Sequence, residues 1–147
     1  IKDAIIRTTL IAGFPTESDE DIEELADFVK DMKFDKLGVF PYSKEEGTKA
    51  GNMDGQIDQD IKNQRAEMIM MLQQEIVREK NQSYIGKTFT SIIDEVYEDY
   101  VVARSYMDVI EVDTVIYVQT TTLHTKGEFI NVKITDVLDY DLKGIEV

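Results

Sequence analysis

The sequence lacks cysteine and tryptophan, and it has only two prolines among its 147 residues. Without cysteine the chain can form no disulfide, hold no thiolate-bound metal and provide no thiol nucleophile. It also lacks an apolar run of about 18 residues, so no membrane-spanning segment is expected, and no signal-peptide pattern opens it. These absences fit a cytoplasmic protein with no membrane partner.

Basic residues are also scarce. The chain has 16 Lys and Arg against 30 Asp and Glu, a formal net charge of −14. The imbalance persists over residues 85–147, where five basic residues face twelve acidic ones. Proteins bind the phosphate backbone mainly by neutralising it with Lys and Arg. This charge disfavours direct nucleic-acid binding and predicts a basic partner.

Hydrophobic residues, in contrast, make up 42% of the chain. This content is enough to bury a core in one ordinary domain or two small ones.

The first half of the sequence predicts a strand–helix–strand unit. An apolar run over 5–12 is typical of a buried parallel strand, and Ser18 with Asp21 resembles a capping box at the start of a helix over 19–32. A second strand over 36–42 completes a βαβ unit.

A longer helix is predicted next, over 58–80, after a loop with three glycines. Its apolar stripe is predicted to consist of Ile61, Arg65, Met68, Ile69, Leu72 and Ile76.

The apolar period changes to two after Gly86, which predicts strands. Five short strands within residues 85–147 suit a small closed barrel of the OB-like kind. The sequence therefore predicts an α+β fold with domains 1–84 and 85–147, in which the second domain is a five-stranded antiparallel barrel. The predicted strands are 88–97, 100–104, 112–118, 128–138 and 142–147.

The loop 13–17, Gly-Phe-Pro-Thr-Glu, is the first candidate site. It follows a parallel-type strand and precedes a helix, and ligands of α/β folds gather at such strand ends. Gly13 lets a backbone approach closely and Pro15 stiffens the turn, although an ordinary strand-to-helix turn fits equally well. Phe40 and Tyr42 end the neighbouring strand and would form an apolar wall of the same site.

The second candidate site is a set of acids in predicted loops and strand ends of the barrel, where OB-like barrels place their binding surfaces. Solubility is the alternative explanation for these residues. The single histidine, His124, lies in a threonine-rich turn and is interpreted as a surface loop residue rather than a catalytic base. No catalytic residue and no metal site is predicted. The acids are Asp108, Glu111, Asp113, Asp139 and Asp141.

Taken together, these segments resemble the C-terminal half of the radical S-adenosylmethionine methylthiotransferases. Residues 7–17 (RTTLIAGFPTE) resemble the strand-and-loop motif of that family. Residues 37–48 (LGVFPYSKEEGT) match its last barrel strand and exit loop, and 73–80 with 85–87 match its linking helix and the start of its TRAM domain. The resemblance implies a βαβ slice of a partial TIM barrel, a linking helix and an OB-like TRAM barrel.

The family has two main kinds, one acting on an adenosine of tRNA and the other, RimO, acting on an aspartate of the twelfth protein of the small ribosomal subunit. Residues 104–113 and 139–144 resemble the RimO kind. Three positions depart from its pattern. Thr16 and Thr114 stand where glycine is common or frequent, and Ile110 replaces the usual proline.

The resemblance implies cofactors as well as a fold. The family uses S-adenosylmethionine and two 4Fe-4S clusters held by six cysteines, and this chain has none, so it would be an inactive fragment of an active parent. Arg7 and the loop with Gly13, Phe14 and Pro15 would lie near S-adenosylmethionine, whose adenosine Phe40 and Tyr42 would border.

The acidic barrel would dock the basic ribosomal protein, and the first half would self-associate through open strand edges. Two alternatives stay open: a tRNA methylthiotransferase of the same family, and a non-enzymatic OB-like interaction module.

Overall fold

The structure is a computed structural model that describes residues 3–147. The chain divides into two compact units, Ile1–Val77 and Arg78–Val147, which we call the sheet unit and the barrel unit. The mixed α+β class with a closed barrel in the last third is confirmed, whereas the boundary between domains 1–84 and 85–147 stays a prediction. The elements are β1 (Arg7–Ala12), α1 (Asp19–Met32), β2 (Lys36–Pro41), α2 (Gln59–Gln82), β3 (Thr88–Val96), β4 (Tyr100–Ser105), β5 (Ile116–Gln119), β6 (Phe129–Leu138) and β7 (Asp141–Glu146).

The sheet unit is built on a parallel pair of strands, β1 and β2. One face of the pair is buried and joins a core with both helices, made of Ala12, Ile22, Val29, Phe34, Leu37, Val39, Ala66, Ile69 and Ile76. On the opposite face the register partners Ile11 and Phe40 are 56% and 60% exposed. Parallel sheets normally have both faces covered. This face is exposed instead, and the side chains of Ile11 and Phe40 make it an apolar surface.

Helix α1 begins and ends as the sequence predicts. The Asp21 N–H donates to the Ser18 hydroxyl at 3.1 Å, and the Ser18 N–H donates to the Asp21 carboxylate at 2.8 Å. The hydrogen bond from the Ser18 backbone lowers the pKa of Asp21. At the other end Lys33 adopts a left-handed conformation, with φ +46°, which stops the helix.

The buried face of α2 differs from the predicted stripe. Ile61 and Met68 are 41% and 43% exposed. The buried positions recur instead at Lys62, Ala66, Ile69, Gln73 and Ile76. This stripe contains two polar residues, which a count of apolar residues passes over; the Gln73 amide donates to the Phe34 carbonyl oxygen at 2.9 Å.

The barrel unit closes in the strand order β3-β4-β5-β7-β6. The predicted antiparallel pairing holds for four pairs, while β5 and β7 run parallel. The parallel direction of β5 and β7 follows from the connections. Strand β6 crosses over to pair antiparallel with β3, and the β6–β7 hairpin then reverses the chain, so β7 runs in the same direction as β5. The core consists of Ile93, Val101, Ala103, Ile116, Val118, Ile130, Val132, Ile134 and Leu142.

The strand pairing places the loops at two opposite ends of the barrel. The β4–β5 loop (106–115) and the β6–β7 turn (139–140) lie at one end, which we call the acid end. The β3–β4 turn (97–99) and the β5–β6 loop (120–128) lie at the other. Across residues 3–147, no helix is both long and apolar enough to cross a membrane.

Candidate functional site

A tight turn follows β1 in the sheet unit. The Glu17 N–H donates to the Phe14 carbonyl oxygen at 2.9 Å. Pro15 at the second position and Thr16 at the third, with φ +74°, are typical of a type II turn. The Thr16 N–H donates to the Gly55 carbonyl oxygen at 2.9 Å. A threonine in the left-handed region costs roughly 1–3 kcal/mol. This cost explains why glycine is common at this position in the motif that the sequence resembles.

An arginine of α2 holds the turn in place. Arg65 Nη1 donates to the Glu17 carboxylate and to the Glu17 carbonyl oxygen, each at 2.9 Å, and Nη2 donates to Asp19 at 2.7 Å. The Glu17 carboxylate oxygen that contacts Arg65, Oε1, also accepts the Gly13 N–H at 2.8 Å. The Arg65 and Glu17 side chains are only 11% and 12% exposed. Sequence reasoning placed Arg65 in an apolar stripe and missed this role.

Gly13 is required by a close approach within the chain itself. Its φ is +78°, and a Cβ there would lie 2.9 Å from the Cβ of Lys62. The Lys62 side chain is buried, and its Nζ lies 5.1 Å from the centroid of the Tyr42 ring. The glycine therefore allows α2 to pack against the end of β1.

Tyr42 meets the same turn from the neighbouring strand. Its N–H donates to the Ala12 carbonyl oxygen at 2.8 Å, and its ring packs edge-to-face on Phe14 at 5.4 Å. The Tyr42 hydroxyl is buried and has no hydrogen-bond partner among residues 3–147. The structure thus brings Gly13, Phe14, Pro15 and Tyr42 together at the carboxyl ends of the strands.

The other two predicted cofactor residues lie elsewhere. Phe40 points to the exposed face beside Ile11 rather than into the cluster around Tyr42. Arg7 begins β1, so it lies about 16 Å along the strand from Ala12 by the ordinary rise per residue. Arg7 therefore lies away from the turn after β1, and its place near S-adenosylmethionine stays a prediction.

In the barrel unit the five predicted acids all lie at the acid end, but they differ in role. Asp108 is buried and accepts the Ser105 hydroxyl at 2.8 Å. Asp113 accepts the Val109 N–H at 2.8 Å, and Asp141 accepts the Val115 N–H at 3.0 Å. These three carboxylates hold the β4–β5 loop in shape.

Glu111 and Asp139 are the exposed members of the set. Both adopt left-handed backbone, with φ +61° and +55°, which suits sharp turns. The Asp139 carboxylate is 70% exposed and lies 3.9 Å from the Arg78 guanidinium. Of the predicted docking acids, these two present their charge to a partner most directly.

The interpretation of His124 as a surface residue is wrong. Its side chain is 2% exposed, because the β5–β6 loop folds back onto β7. Its Nε2 lies 3.0 Å from the Glu146 carboxylate and its Nδ1 lies 3.3 Å from that of Glu128. The hydrogen bond with Glu146 raises the pKa of His124, and hydrogen bonds from Thr120 and His124 lower the pKa of Glu146.

These carboxylates and the histidine do not form a metal site. Over residues 3–147 the structure has no group of three or more His, Asp or Glu side chains arranged to hold a metal ion.

Comparison with known proteins agrees with this architecture. The TRAM domain family matches residues 85–147. The ribosomal protein uS12 methylthiotransferase RimO of Clostridioides difficile is 46% identical over 145 residues, which cover 98% of this chain and 33% of the relative. RimO of Thermodesulfovibrio yellowstonii is 43% identical over 147 residues, or 100% and 35%, and that of Clostridium botulinum is 46% identical over 145, or 99% and 33%.

The chain spans about a third of the length of the curated relatives it matches. The match covers nearly the whole chain and therefore runs through both units. We conclude that this chain belongs to the family of the RimO methylthiotransferases.

Proposed function

We propose that this chain is the C-terminal part of an enzyme that adds a methylthio group to the β-carbon of an aspartate in ribosomal protein uS12. In this proposal the barrel unit docks the basic protein substrate. The observation that carries it is the charge of the barrel, with five basic against twelve acidic residues over 85–147. A TRAM domain of this sign is poorly suited to phosphate.

The distribution of the acids supports docking of a protein. Glu111 and Asp139 are exposed at the acid end, and Glu98 and Asp99 are exposed at the opposite end. Opposite potentials on two partners raise the association rate and fix their register. A basic ribosomal protein would meet negative charge at both ends of the barrel.

The sheet unit supplies part of a pocket for S-adenosylmethionine in this proposal. Phe14 and Tyr42 give an aromatic edge, and the buried Tyr42 hydroxyl, which has no partner within the described part of the chain, gives a polar atom that a ligand could hydrogen-bond. The exposed Ile11 and Phe40 form a separate apolar surface on the opposite face of β1 and β2, and Phe40 would offer that surface to the adenosine. Bound there, the cofactor supplies the group that abstracts hydrogen from the substrate carbon.

Iron–sulfur clusters do not fit these 147 residues. Such clusters are held by thiolates, and the chain contains no cysteine. This chain therefore contributes no catalytic residue to the proposed reaction. Its work is to shape one side of the cofactor pocket and to hold the substrate, while cluster ligands come from outside it.

The test is a binding titration of the 147-residue chain with purified uS12 and, separately, with tRNA, by isothermal titration calorimetry at 50 and 300 mM NaCl. We expect binding of uS12 at low salt and at least tenfold weaker binding at high salt, because screening weakens exposed charge pairs. A tighter complex with tRNA than with uS12 would instead support the tRNA methylthiotransferase, and no binding of either would contradict the docking role.

A matched pair of variants locates the binding charges. Replacing Glu111 by Gln together with Asp139 by Asn removes two exposed carboxylates from the acid end. Replacing Glu23 and Glu24 by Gln removes two exposed carboxylates from α1. Only the first pair is expected to weaken the binding of uS12.

A further inference from the structure

Three tyrosines form an exposed aromatic surface on the barrel, which we call the tyrosine surface. The rings of Tyr97 and Tyr100 are stacked, with centroids 4.7 Å apart and planes 14° apart. The Tyr117 ring follows at 6.1 Å from Tyr100. Tyr97 is 48% exposed and Tyr100 is 36% exposed. Stacked rings that stay open to solvent are a typical anchor for a partner.

The position of the tyrosine surface in the fold is that of a binding face. Tyr97 lies in the β3–β4 turn, Tyr100 begins β4 and Tyr117 lies in β5. The adjacent residues Val101 and Val118 are buried in the barrel, so Tyr100 and Tyr117 point outward. OB-like barrels bind ligands on their second and third strands and the loop between the first and second, which here are β4, β5 and the β3–β4 turn.

Negative charge surrounds these rings. Tyr97 donates its hydroxyl hydrogen to Glu95, and this bond raises the pKa of Tyr97. Glu98 and Asp99 are exposed and form no salt bridge within the described part of the chain. Asp99 lines an open groove of about 270 Å³ together with Tyr100, Tyr117, Gln119 and Lys143.

The combination of rings and carboxylates selects a cation over a nucleic acid. Aromatic platforms that bind single strands are set in positively charged grooves, whereas this groove has Lys143 alone against Asp99 and the nearby Glu95 and Glu98. A guanidinium group can stack on a tyrosine ring while its N–H groups donate in the ring plane to a carboxylate. The chemistry therefore fits an arginine side chain.

We infer that the tyrosine surface binds an arginine side chain of the basic ribosomal protein, with the guanidinium stacked on Tyr100 and paired with Asp99. This inference rests on the proposed docking function and adds to it a binding residue at the barrel end opposite Glu111 and Asp139. The partner is then held by an aromatic anchor at one end of the barrel and by charge at the other.

The test compares the binding of uS12 by variants of the 147-residue chain at 150 mM NaCl. Tyr100→Leu keeps apolar bulk and removes the ring, so the dissociation constant should rise about fivefold, as for loss of an exposed cation–π contact. Tyr100→Phe keeps the ring and should stay within twofold of the unmodified chain. Phe28→Leu is the control, because Phe28 is 48% exposed but lies on α1 of the sheet unit, and it should change nothing.

A second arm uses the unmodified chain, so it holds even if Tyr100→Leu fails to fold. A synthetic arginine-bearing peptide of uS12 is compared with the same peptide containing citrulline, which is neutral and of the same shape. About fivefold weaker binding of the citrulline peptide is expected, with chemical-shift changes at the Tyr97, Tyr100 and Tyr117 ring protons by NMR.

The outcomes separate this inference from the function on which it rests. Equal binding by Tyr100→Leu, or equal binding of the two peptides, overturns the inference and leaves the docking role intact. Binding of single-stranded RNA that is tighter than binding of uS12, and that is lost in Tyr100→Leu, overturns it in favour of base stacking. No binding of uS12 by the unmodified chain overturns both.

Discussion

The sheet unit and the barrel unit treat the edges of their β-structure in opposite ways. Each strand of the barrel pairs with neighbours on both sides, whereas β1 and β2 pair only with each other among residues 3–147. A closed barrel satisfies its backbone groups through its own ladders. The turn after β1 has only a few backbone hydrogen bonds and is held in addition by side chains, above all by Arg65. In the sheet unit the turn after β1 thus depends on a few polar side-chain contacts, whereas the barrel strands are held by continuous backbone ladders.

Removing Arg65 should give the largest effect and confine it to the sheet unit. Arg65→Ala leaves the nearly buried Glu17 carboxylate without its cation, and loss of one partner of such a pair costs about 3 kcal/mol of unfolding free energy. Hydrogen exchange followed by mass spectrometry should show faster exchange at residues 13–17 and no change in the barrel strands.

The control for this variant is Asp19→Asn. Asp19 also contacts Arg65, but its side chain is 88% exposed, so the cost should stay below about 1 kcal/mol. Amide exchange that becomes equally faster in both units would show that Arg65 does not stabilise the sheet unit selectively.

The pH dependence of stability should differ between the units, with an effect smaller than that of Arg65→Ala. The pKa of His124 is raised in the folded barrel, so its contribution is complete below its unfolded pKa of about 6.5 and is lost as pH rises through the folded value. The pKa of Glu146 is lowered, so its contribution is lost as pH falls below about 4.5. Barrel stability should therefore be greatest between these limits.

Thermal unfolding between pH 4 and pH 9, with exchange rates read separately for each unit, measures this dependence. His124→Gln should abolish the decline above about pH 6.5. The sheet unit has no histidine, so it serves as the internal control. A decline of the same size in the variant would rule out His124 as its cause.

The smallest expected effect is a gain in stability at the turn of the sheet unit. Thr16→Gly relieves a left-handed threonine and should raise the free energy of unfolding by about 0.5–1 kcal/mol, after the greater flexibility of glycine in the unfolded chain is counted. Thr9→Gly, in the extended backbone of β1, should lower it by a similar amount. A loss of stability for both variants, from the urea midpoint, would mean that φ at Thr16 stores no strain.

Local patterns predicted much of the fold. The start of α1 follows from a capping box within four residues. The period of two predicts four of the five barrel strands to within one residue, whereas β5 begins at Ile116 rather than at residue 112, because hydrogen bonds to Asp113 and Asp141 hold 109–115 in a loop. The rotation of α2 could not be predicted in the same way, since Lys62 and Gln73 are polar residues whose burial depends on partners distant in sequence, such as the Phe34 carbonyl.

The candidate sites show the same limit. The turn after β1 was identified from its sequence, but the residue that holds it, Arg65, lies 48 positions from Glu17. His124 and Glu146 are 22 positions apart, and the sequence gives no sign that they meet. The predicted acids do lie at one end of the barrel. The sequence did not predict that three of them hydrogen-bond nearby backbone and hydroxyl groups to shape the β4–β5 loop, while Glu111 and Asp139 stay exposed.

The closure of the barrel by the parallel pairing of β5 with β7 decides how the chain can recognise other proteins. A ring of strands with no free ladder offers no N–H or C=O row to which a partner could add a strand. The barrel must therefore recognise partners through its side chains. Its specificity will change from one relative to the next as those side chains change. Backbone pairing with another chain, including the predicted self-association, is left to β1 and β2.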